Sequence, residues 1–363
     1  MEETGRKKLV INCNDCFALY NFRLDLLKEL RKHYRLYIIA KKDEYYELLQ
    51  NEGFVIIDSL VIGNKNNPIK DISLIIFLRK LFKKIKPDII INYTIKPHIY
   101  GTLVSKNAKV INFVSGVGSV FLKENLLFKI CKCLYKYIAK KVDLYIFLNK
   151  DDQELFRKHK LIKNSYTIIQ GEGVNLEKFE KEVNFSLPIT FIFVGRLIKE
   201  KGIKEYLEAA RIVKEKYPKI RFLIVGNFYN KNSVIQKNEI IAYHKQKIIE
   251  YLGYTYKINE VLKEVHVVVL PSYREGFPIS LIEGLASKKF LIATNVAGCR
   301  EVCIDGYNGF IVEAKNVNSL VQGIIKYINF EDKELLHENA LNSSYQYAKE
   351  FYVERMVDLI GKI

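Results

Sequence analysis

The sequence predicts an α/β protein built from two doubly wound parallel sheets. Short apolar runs alternate with segments of helical spacing along the whole chain. Those runs read as buried parallel strands, and alternation of this kind argues for sheets covered by helices. They also fall into two successive series, and 363 residues of which 49% are hydrophobic suit about two domains.

In the first series, residues 9–12, 36–40, 54–58, 89–93, 110–114 and 144–148 read as strands. The second series comprises residues 189–194, 222–225, 247–251, 265–270, 290–294 and 309–312. The expected division is a first domain over 1–183, a second over 184–342, and a terminal helical segment over 343–363. The join falls near 171–188. In the last segment Phe351, Met356 and Ile360 are among the apolar positions, and it is expected to pack back toward the first domain. No repeat is visible, and the one biased stretch is Asn-rich, at 63–67.

Glu275 and Glu283 carry the most information. They lie in Pro-Ser-Tyr-Arg-Glu-Gly-Phe-Pro-Ile-Ser-Leu-Ile-Glu, between the run 265–270 and a segment with Ile279, Ile282, Leu285 and Ala286 at helical spacing. The first glutamate therefore sits on the loop at the carboxyl end of a strand, and the second about two turns into the following helix. Open α/β sheets bind ligands at such loops, and a helix amino end offers N–H groups to an anion. Two acids suit such a place if each accepts hydrogen bonds from sugar hydroxyls while the helix end holds a phosphate. A nucleotide sugar has both parts. After the strand 189–194 come Gly195, Arg196, Lys201 and Gly202. Gly195 lets the chain pass close to a ligand, and Gly202 opens the next helix. Arg196 as a planar fork and Lys201 as a mobile charge could meet a pyrophosphate; a solvated basic loop is the bland alternative.

Taken together, Gly-Arg-x-x-x-x-Lys-Gly, Glu-Gly-Phe-Pro-x-Ser-x-x-Glu, Gly298-Cys299-Arg300-Glu301 and Asp305-Gly306-Tyr307-Asn308-Gly309 resemble the family 4 retaining glycosyltransferases of the GT-B fold. First-half segments extend the likeness: Lys86-Pro87-Asp88, Thr94-Ile95-Lys96-Pro97-His98-Ile99-Tyr100-Gly101, Gly116-Val117-Gly118-Ser119-Val120-Phe121 and Leu148-Asn149-Lys150-Asp151-Asp152. Gln170-Gly171-Glu172-Gly173-Val174-Asn175 is similar to that family's interdomain hinge. The first-half motifs look most like the bacterial branch that builds glycans on undecaprenyl diphosphate.

The resemblance implies two Rossmann-like domains with the active site in the cleft between them. It implies transfer of a hexosamine, GalNAc from UDP-GalNAc, to a polyprenyl-diphosphate-linked sugar. Arg196 and Lys201 become the diphosphate clamp, Glu275 the contact to donor-sugar hydroxyls and Glu283 the contact to ribose. Gly195, Gly276, Phe277, Pro278, Ile279 and Ser280 line the donor, and Phe228 and Tyr254 lie near the base. In the first domain, His98, Gly116, Gly118 and Ser119 are the acceptor candidates. For His98 a structural role is the alternative, and for Gly116 and Gly118 a plain strand-to-helix turn. The turn after the first strand, Asn12-Cys13-Asn14-Asp15-Cys16, lacks the glycines of many relatives. Other readings are a UDP-hexose or UDP-GlcNAc transferase of O-antigen or capsule synthesis, and a UDP-sugar epimerase or hydrolase on the same fold.

No metal or other cofactor is expected. No Asp-x-Asp follows a strand, Asp151-Asp152 suits a helix cap, and the six cysteines fall as pairs in different elements. Net charge is +17, with 32 Lys and Arg against 20 Asp and Glu in residues 1–180, so the acidic partner is sought there. Lys129, Lys132, Lys136 and Lys140 recur at helical spacing within 126–142, and Arg79, Lys80, Lys83 and Lys84 stand against Leu78, Leu81, Phe82 and Ile85. Both groups suit docking on an anionic membrane, the bland alternative being solvated helix faces. Nucleic acid is not expected, since neither interleaved exposed aromatics nor a known module is evident. No apolar run nears the ~18 residues that span a bilayer, and residues 1–8 are charged. The expected place is the cytoplasm, peripheral at the inner face of the membrane.

Overall fold

The structure, a computed structural model, describes residues 5–59, 67–121, 125–228 and 237–363. It divides into two units, Met1–Glu172 with Phe351–Ile363, and Gly173–Glu350. The first boundary therefore lies at 172/173 rather than 183/184, because residues 173–183 are tied to the second unit. Val174 N–H donates to Tyr347 O at 2.9 Å, Lys289 Nζ to Glu182 O at 2.7 Å, and Lys263 pairs with Glu180 at 3.0 Å.

In the first unit the strands are β1 (Lys8–Asp15), β2 (Arg35–Lys41), β3 (Ile56–Asp58), β4 (Ile89–Tyr93), β5 (Lys109–Val114), β6 (Leu144–Phe147) and β7 (Ser165–Ile168). They form a parallel sheet in the order β3-β2-β1-β4-β5-β6-β7. The sequence reading missed β7 because Ser165 and Tyr166 at this sheet edge are exposed, so no apolar run marks the strand. The second unit has β8 (Thr190–Val194), β9 (Arg221–Val225), β10 (Glu250–Tyr251), β11 (Val267–Leu270), β12 (Phe290–Thr294) and β13 (Gly309–Val312), again parallel, in the order β10-β9-β8-β11-β12-β13. Each sheet thus reverses direction once, between β1 and β4 and between β8 and β11. Ligands of doubly wound sheets bind beyond the carboxyl ends of the strands at such a reversal.

The second core is aromatic. Phe191 stacks on Phe222 with centroids 5.3 Å apart, and buried Tyr206 donates its hydroxyl proton toward Phe191 O and Leu223 O, at 3.1 and 3.0 Å. Burial of each such ring contributes about 1.5–3 kcal/mol, enough to hold the strand ends rigid.

Three local expectations need correction. The terminal segment is not one helix: Lys333–Ser344 and Lys349–Gly361 are separated by a 3-10 turn and Ala348, whose extended backbone joins a bridge to Val174. Phe351 is 59% exposed, while Met356 and Ile360 are fully buried. The helix Leu126–Ile138 stops before Lys140, so that residue does not share its face. Most of the Asn-rich stretch 63–67 lies outside the described residues.

Candidate active site

Glycines bring the loops after β8 and β11 together at the second unit's sheet reversal. Gly202 caps the helix Ile203–Lys216 with φ 72°, and a Cβ there would lie 2.0 Å from the Pro271 carbonyl oxygen. Any side chain would force the loops apart. Tyr273 N–H completes the junction by donating to Glu200 O at 2.8 Å. Gly226 does the same for the neighbouring strand end: a Cβ would sit 1.8 Å from Gly195 O, and its N–H donates to Gly253 O at 2.8 Å. Gly195 is different. An added Cβ would meet nothing closer than 3.8 Å, so the protein itself does not demand glycine, and the space is open to a ligand.

That junction places Lys201 on Glu275. Lys201 Nζ donates to Oε1 at 2.6 Å and Oε2 at 2.8 Å, and the side chains are 19% and 10% exposed. Ser272 Oγ–H donates to the same Oε1 at 2.6 Å. Glu275 N–H donates to Ala297 O at 3.1 Å, and Gly298, with φ 79°, lets the next loop close on the Glu275 and Gly276 carbonyls. The carboxylate is held from several sides, and the lysine, with three donors, spends two on it. Sequence reasoning passed over Gly226, quoted Gly298 only within a motif and gave Ser272 no role; the position of Ser272 three residues before Glu275 was the available signal.

Pro278 caps the helix Ile279–Ala286, whose first N–H groups have no acceptor within the helix. Those of Ile279 and Ser280 are among them. Phe277, 8% exposed, fixes the turn by packing edge-on against Tyr347 at 5.7 Å. Glu283 begins the second turn of this helix rather than lying two turns in, since the helix starts at Ile279. It keeps a partly accessible edge, yet the surrounding protein pushes its carboxyl up to about 7, with Lys349 opposing the shift. Gly284 has a packing reason: a Cβ would lie 2.8 Å from Val268 Cγ2 on β11. Arg196 is exposed on the β8 loop. Phe228 packs edge-on against Tyr251 at 5.8 Å, and Tyr254, 40% exposed, against Tyr256 at 4.8 Å.

In the first unit His98 is a core residue. It is 2% exposed, with Nε2 bonded to Phe113 O at 3.0 Å and Nδ1 to Tyr135 Oη at 2.9 Å. The carbonyl can only accept, so Nε2 carries the proton and Nδ1 accepts from the tyrosine. Burial lowers its pKa to about 4, which keeps the ring neutral. The structural alternative is the one observed. Gly116 and Gly118 have φ 139° and 70°, and Val117 N–H between them donates to buried Asp152 Oδ2 at 3.2 Å. Asn149, not Asp151 or Asp152, caps that aspartate's helix. The side chain of Ser119 lies outside those described.

Residues 174–344 match the family described as Glycosyl transferases group 1, and residues 13–149 match Glycosyl transferase 4-like. The chain is also 27% identical, over 95% of its length and 96% of the relative's, to the N,N'-diacetylbacillosaminyl-diphospho-undecaprenol alpha-1,3-N-acetylgalactosaminyltransferase of Campylobacter jejuni. The chain is a glycosyltransferase. This glycosyltransferase is likewise 27% identical to the Escherichia coli UDP-Gal:alpha-D-GlcNAc-diphosphoundecaprenol alpha-1,3-galactosyltransferase, over 76% of this chain and 75% of that protein. Solved structures show the GT-B fold: a Rickettsia africae glycosyltransferase (TM-score 0.77, 20% identity, 97% of both chains) and Anabaena HepE in complex with UDP (0.79, 14%, 98% of this chain and 100% of that one).

Proposed function

We propose that this glycosyltransferase moves a hexosamine, GalNAc from UDP-GalNAc, with retention of configuration onto a polyprenyl-diphosphate-linked sugar. The observation that carries the reading is the Lys201–Glu275 pair at the β8/β11 reversal, next to a helix amino end. Cation and helix end suit the diphosphate, and the carboxylate suits sugar hydroxyls. As the bond from the anomeric carbon to the diphosphate breaks, negative charge grows on UDP and positive charge on the sugar. Arg196, Lys201 and the N–H groups at Ile279 and Ser280 stabilise the former. The acceptor hydroxyl attacks the face that UDP leaves, and the departing diphosphate takes its proton. Glu283 accepts from the ribose hydroxyls, with Phe228 and Tyr254 beside the base. Donor and acceptor classes are supported by the two relatives, whose names specify sugar transfer to diphosphoundecaprenol-linked acceptors.

The test incubates the purified chain with UDP-GalNAc, UDP-GlcNAc or UDP-Gal and lipid-linked diacetylbacillosamine, with and without EDTA. An α-linked glycolipid from UDP-GalNAc, undiminished by EDTA, is expected. A β-linked product would refute retention; an altered free nucleotide sugar without glycolipid would favour an epimerase or hydrolase. Activity lost to EDTA and restored by Mg²⁺ would refute metal independence.

We further propose that the first unit docks on anionic lipid. Among the described residues no helix is long and apolar enough to cross a membrane. The helix Pro68–Ile85 exposes Ile69, Ile72 and Ile76 ahead of exposed Arg79, Lys80, Lys83 and Lys84. The helix Leu126–Ile138 exposes Leu126, Ile130 and Tyr137 beside Lys129 and Lys136, and Lys140 is exposed just beyond it. Lys132 is half-buried over the Phe128 ring at 5.6 Å and adds least. Apolar side chains among basic ones suit an interface that is oily within and anionic above. Reversing Lys80, Lys84, Lys129 and Lys136 to Glu is expected to weaken co-sedimentation with phosphatidylglycerol vesicles roughly a hundred-fold or more, at about 1 kcal/mol per basic residue. Unchanged sedimentation, or equal binding to neutral vesicles, would refute docking.

A further inference from the structure

Tyr273 stands two residues before Glu275 on the loop after β11, half-buried, and its hydroxyl reaches the helix Ile203–Lys216. Tyr273 Oη–H donates to Glu205 Oε1 at 2.6 Å, while its backbone N–H donates to Glu200 O at 2.8 Å. Burial, then Glu205 and Glu200, holds the phenol above its ordinary range, so it keeps the proton it donates. From the loop after β13, the Lys315 ammonium lies 5.0 Å from the centroid of the same ring.

The two glutamates flank Lys201. Glu200 directly precedes it in the 3-10 turn Lys199–Lys201, and Glu205 belongs to the first turn of the helix that follows. Tyr273 therefore holds the segment carrying Lys201 on both sides, close to the residue that Lys201 meets. Other bonds of its loop run toward β12: Thr294 Oγ1–H donates to Ser272 O at 2.5 Å, and Glu275 N–H donates to Ala297 O. The Tyr273 bonds run toward Lys201. A lysine ends on a flexible four-carbon stem, so its place on Glu275 depends on how the two loops are spaced. A hydrogen bond to a carboxylate is stronger than a neutral one and suits that purpose. Misplacement by about 1 Å at a reacting centre can cost a hundred-fold in rate.

We propose that Tyr273, through its hydrogen bond to Glu205, is a positioning residue that sets Lys201 against Glu275 for transfer. This rests on the transferase reading above, in which that pair meets the diphosphate and the sugar. Tyr273 and Glu205 act through the pair and touch neither substrate.

Glu205 supplies a way to separate the hydrogen bond from the charge. Among the described residues its Oε2 is buried without a hydrogen-bond partner. Glu205→Gln thus keeps an oxygen to accept from Tyr273 and puts its NH₂ where no protein group had donated.

The experiment compares the full chain with Tyr273→Phe, Glu205→Ala, Glu205→Gln and the double variant Tyr273→Phe with Glu205→Ala. It measures kcat and KM for the UDP-sugar that the parent transfers, UDP affinity, and Tm, with kinetics taken well below every Tm. Tyr273→Phe and Glu205→Ala are each expected to lower kcat about ten-fold, with KM and UDP affinity within about three-fold of the parent. The double variant should lose no more than either single one, since both remove one bond. Glu205→Gln should stay within about three-fold of the parent's kcat. Retained UDP affinity also shows that the variants are folded. Variants that melt lower yet turn over at the parent's kcat would overturn the proposal, since the bond would then serve stability alone. Additive losses in the double variant, a loss confined to UDP affinity, or a Glu205→Gln as slow as Glu205→Ala would each overturn it too. Absence of glycolipid in the parent is a separate result, which overturns the transferase reading and this proposal with it.

Discussion

Glu275→Gln is expected to lower kcat about a hundred- to a thousand-fold while leaving UDP affinity within a few-fold of the parent. The amide keeps the shape of the carboxylate but not its charge. Its oxygen can still accept from both Ser272 and Lys201, yet its NH₂ faces a donor where Oε2 had accepted from Lys201 at 2.8 Å. Lys201 then loses the charge and one of the two oxygens that position it, and the sugar loses the charge that strengthens hydroxyl contacts as it becomes cationic. The effect should fall on kcat, because both losses bear on charge that develops only in the transition state. Stability should drop by about 1–3 kcal/mol, between the values typical of exposed and fully buried pairs, since these side chains are 10% and 19% exposed. Steady-state kinetics and thermal melts on the same preparation check both. A variant with the parent's kcat would remove Glu275 from the chemistry.

The second large effect concerns Glu283 and pH. Burial raises its carboxyl from 4.5 to about 7. In that window the folded chain holds a proton that the unfolded chain has released. Stability therefore falls as pH rises from about 4.5 to about 7, and the cost is fully present above 7. Glu283→Gln removes the titration, so it is expected to change stability little at pH 4 and to raise it at pH 8. The gain at pH 8 is at most about 3–4 kcal/mol, taking about 1.4 kcal/mol for each ten-fold change in proton affinity. Its UDP affinity at pH 8 should nonetheless be about ten-fold weaker, because a charged acceptor for the ribose diol is lost. In the parent, UDP affinity should improve as pH rises through 7 relative to the variant, a comparison in which the titration of UDP itself cancels. Denaturation and UDP titrations at pH 6, 7 and 8 give the answer. Equal pH slopes in the two proteins would show that Glu283 does not titrate in this range.

Stability lost and binding gained at one residue is the pattern expected where a site is built against the preference of the fold. It could not be read from the motif, which shows that a glutamate stands at 283 but not what surrounds it. The same limit separates other residues. The aligned apolar runs at 89–93 and 290–294 showed as strands because both faces are buried. β7 did not show, because its residues are exposed or half-buried. His98 occupied a suggestive loop position, and only its bonds to Phe113 O and Tyr135 Oη reveal a core residue.

Local order in the chain sufficed for two doubly wound sheets, for the loops that carry Arg196, Lys201, Glu275 and Glu283, and for the family. Periodicity, glycines and charged residues are written in consecutive positions, and each acts over a few residues. The meeting of Lys201 with Glu275 needs two loops 74 residues apart, joined where Gly202 touches Pro271. The buried bonds from Asn12 to Asn92 and from Asn92 to Asn112 need three strands brought into register, and the pKa of Glu283 needs neighbours from distant segments. Hydrogen bonds and desolvation depend on distances of a few ångströms in space, so they were decided only when the chain folded.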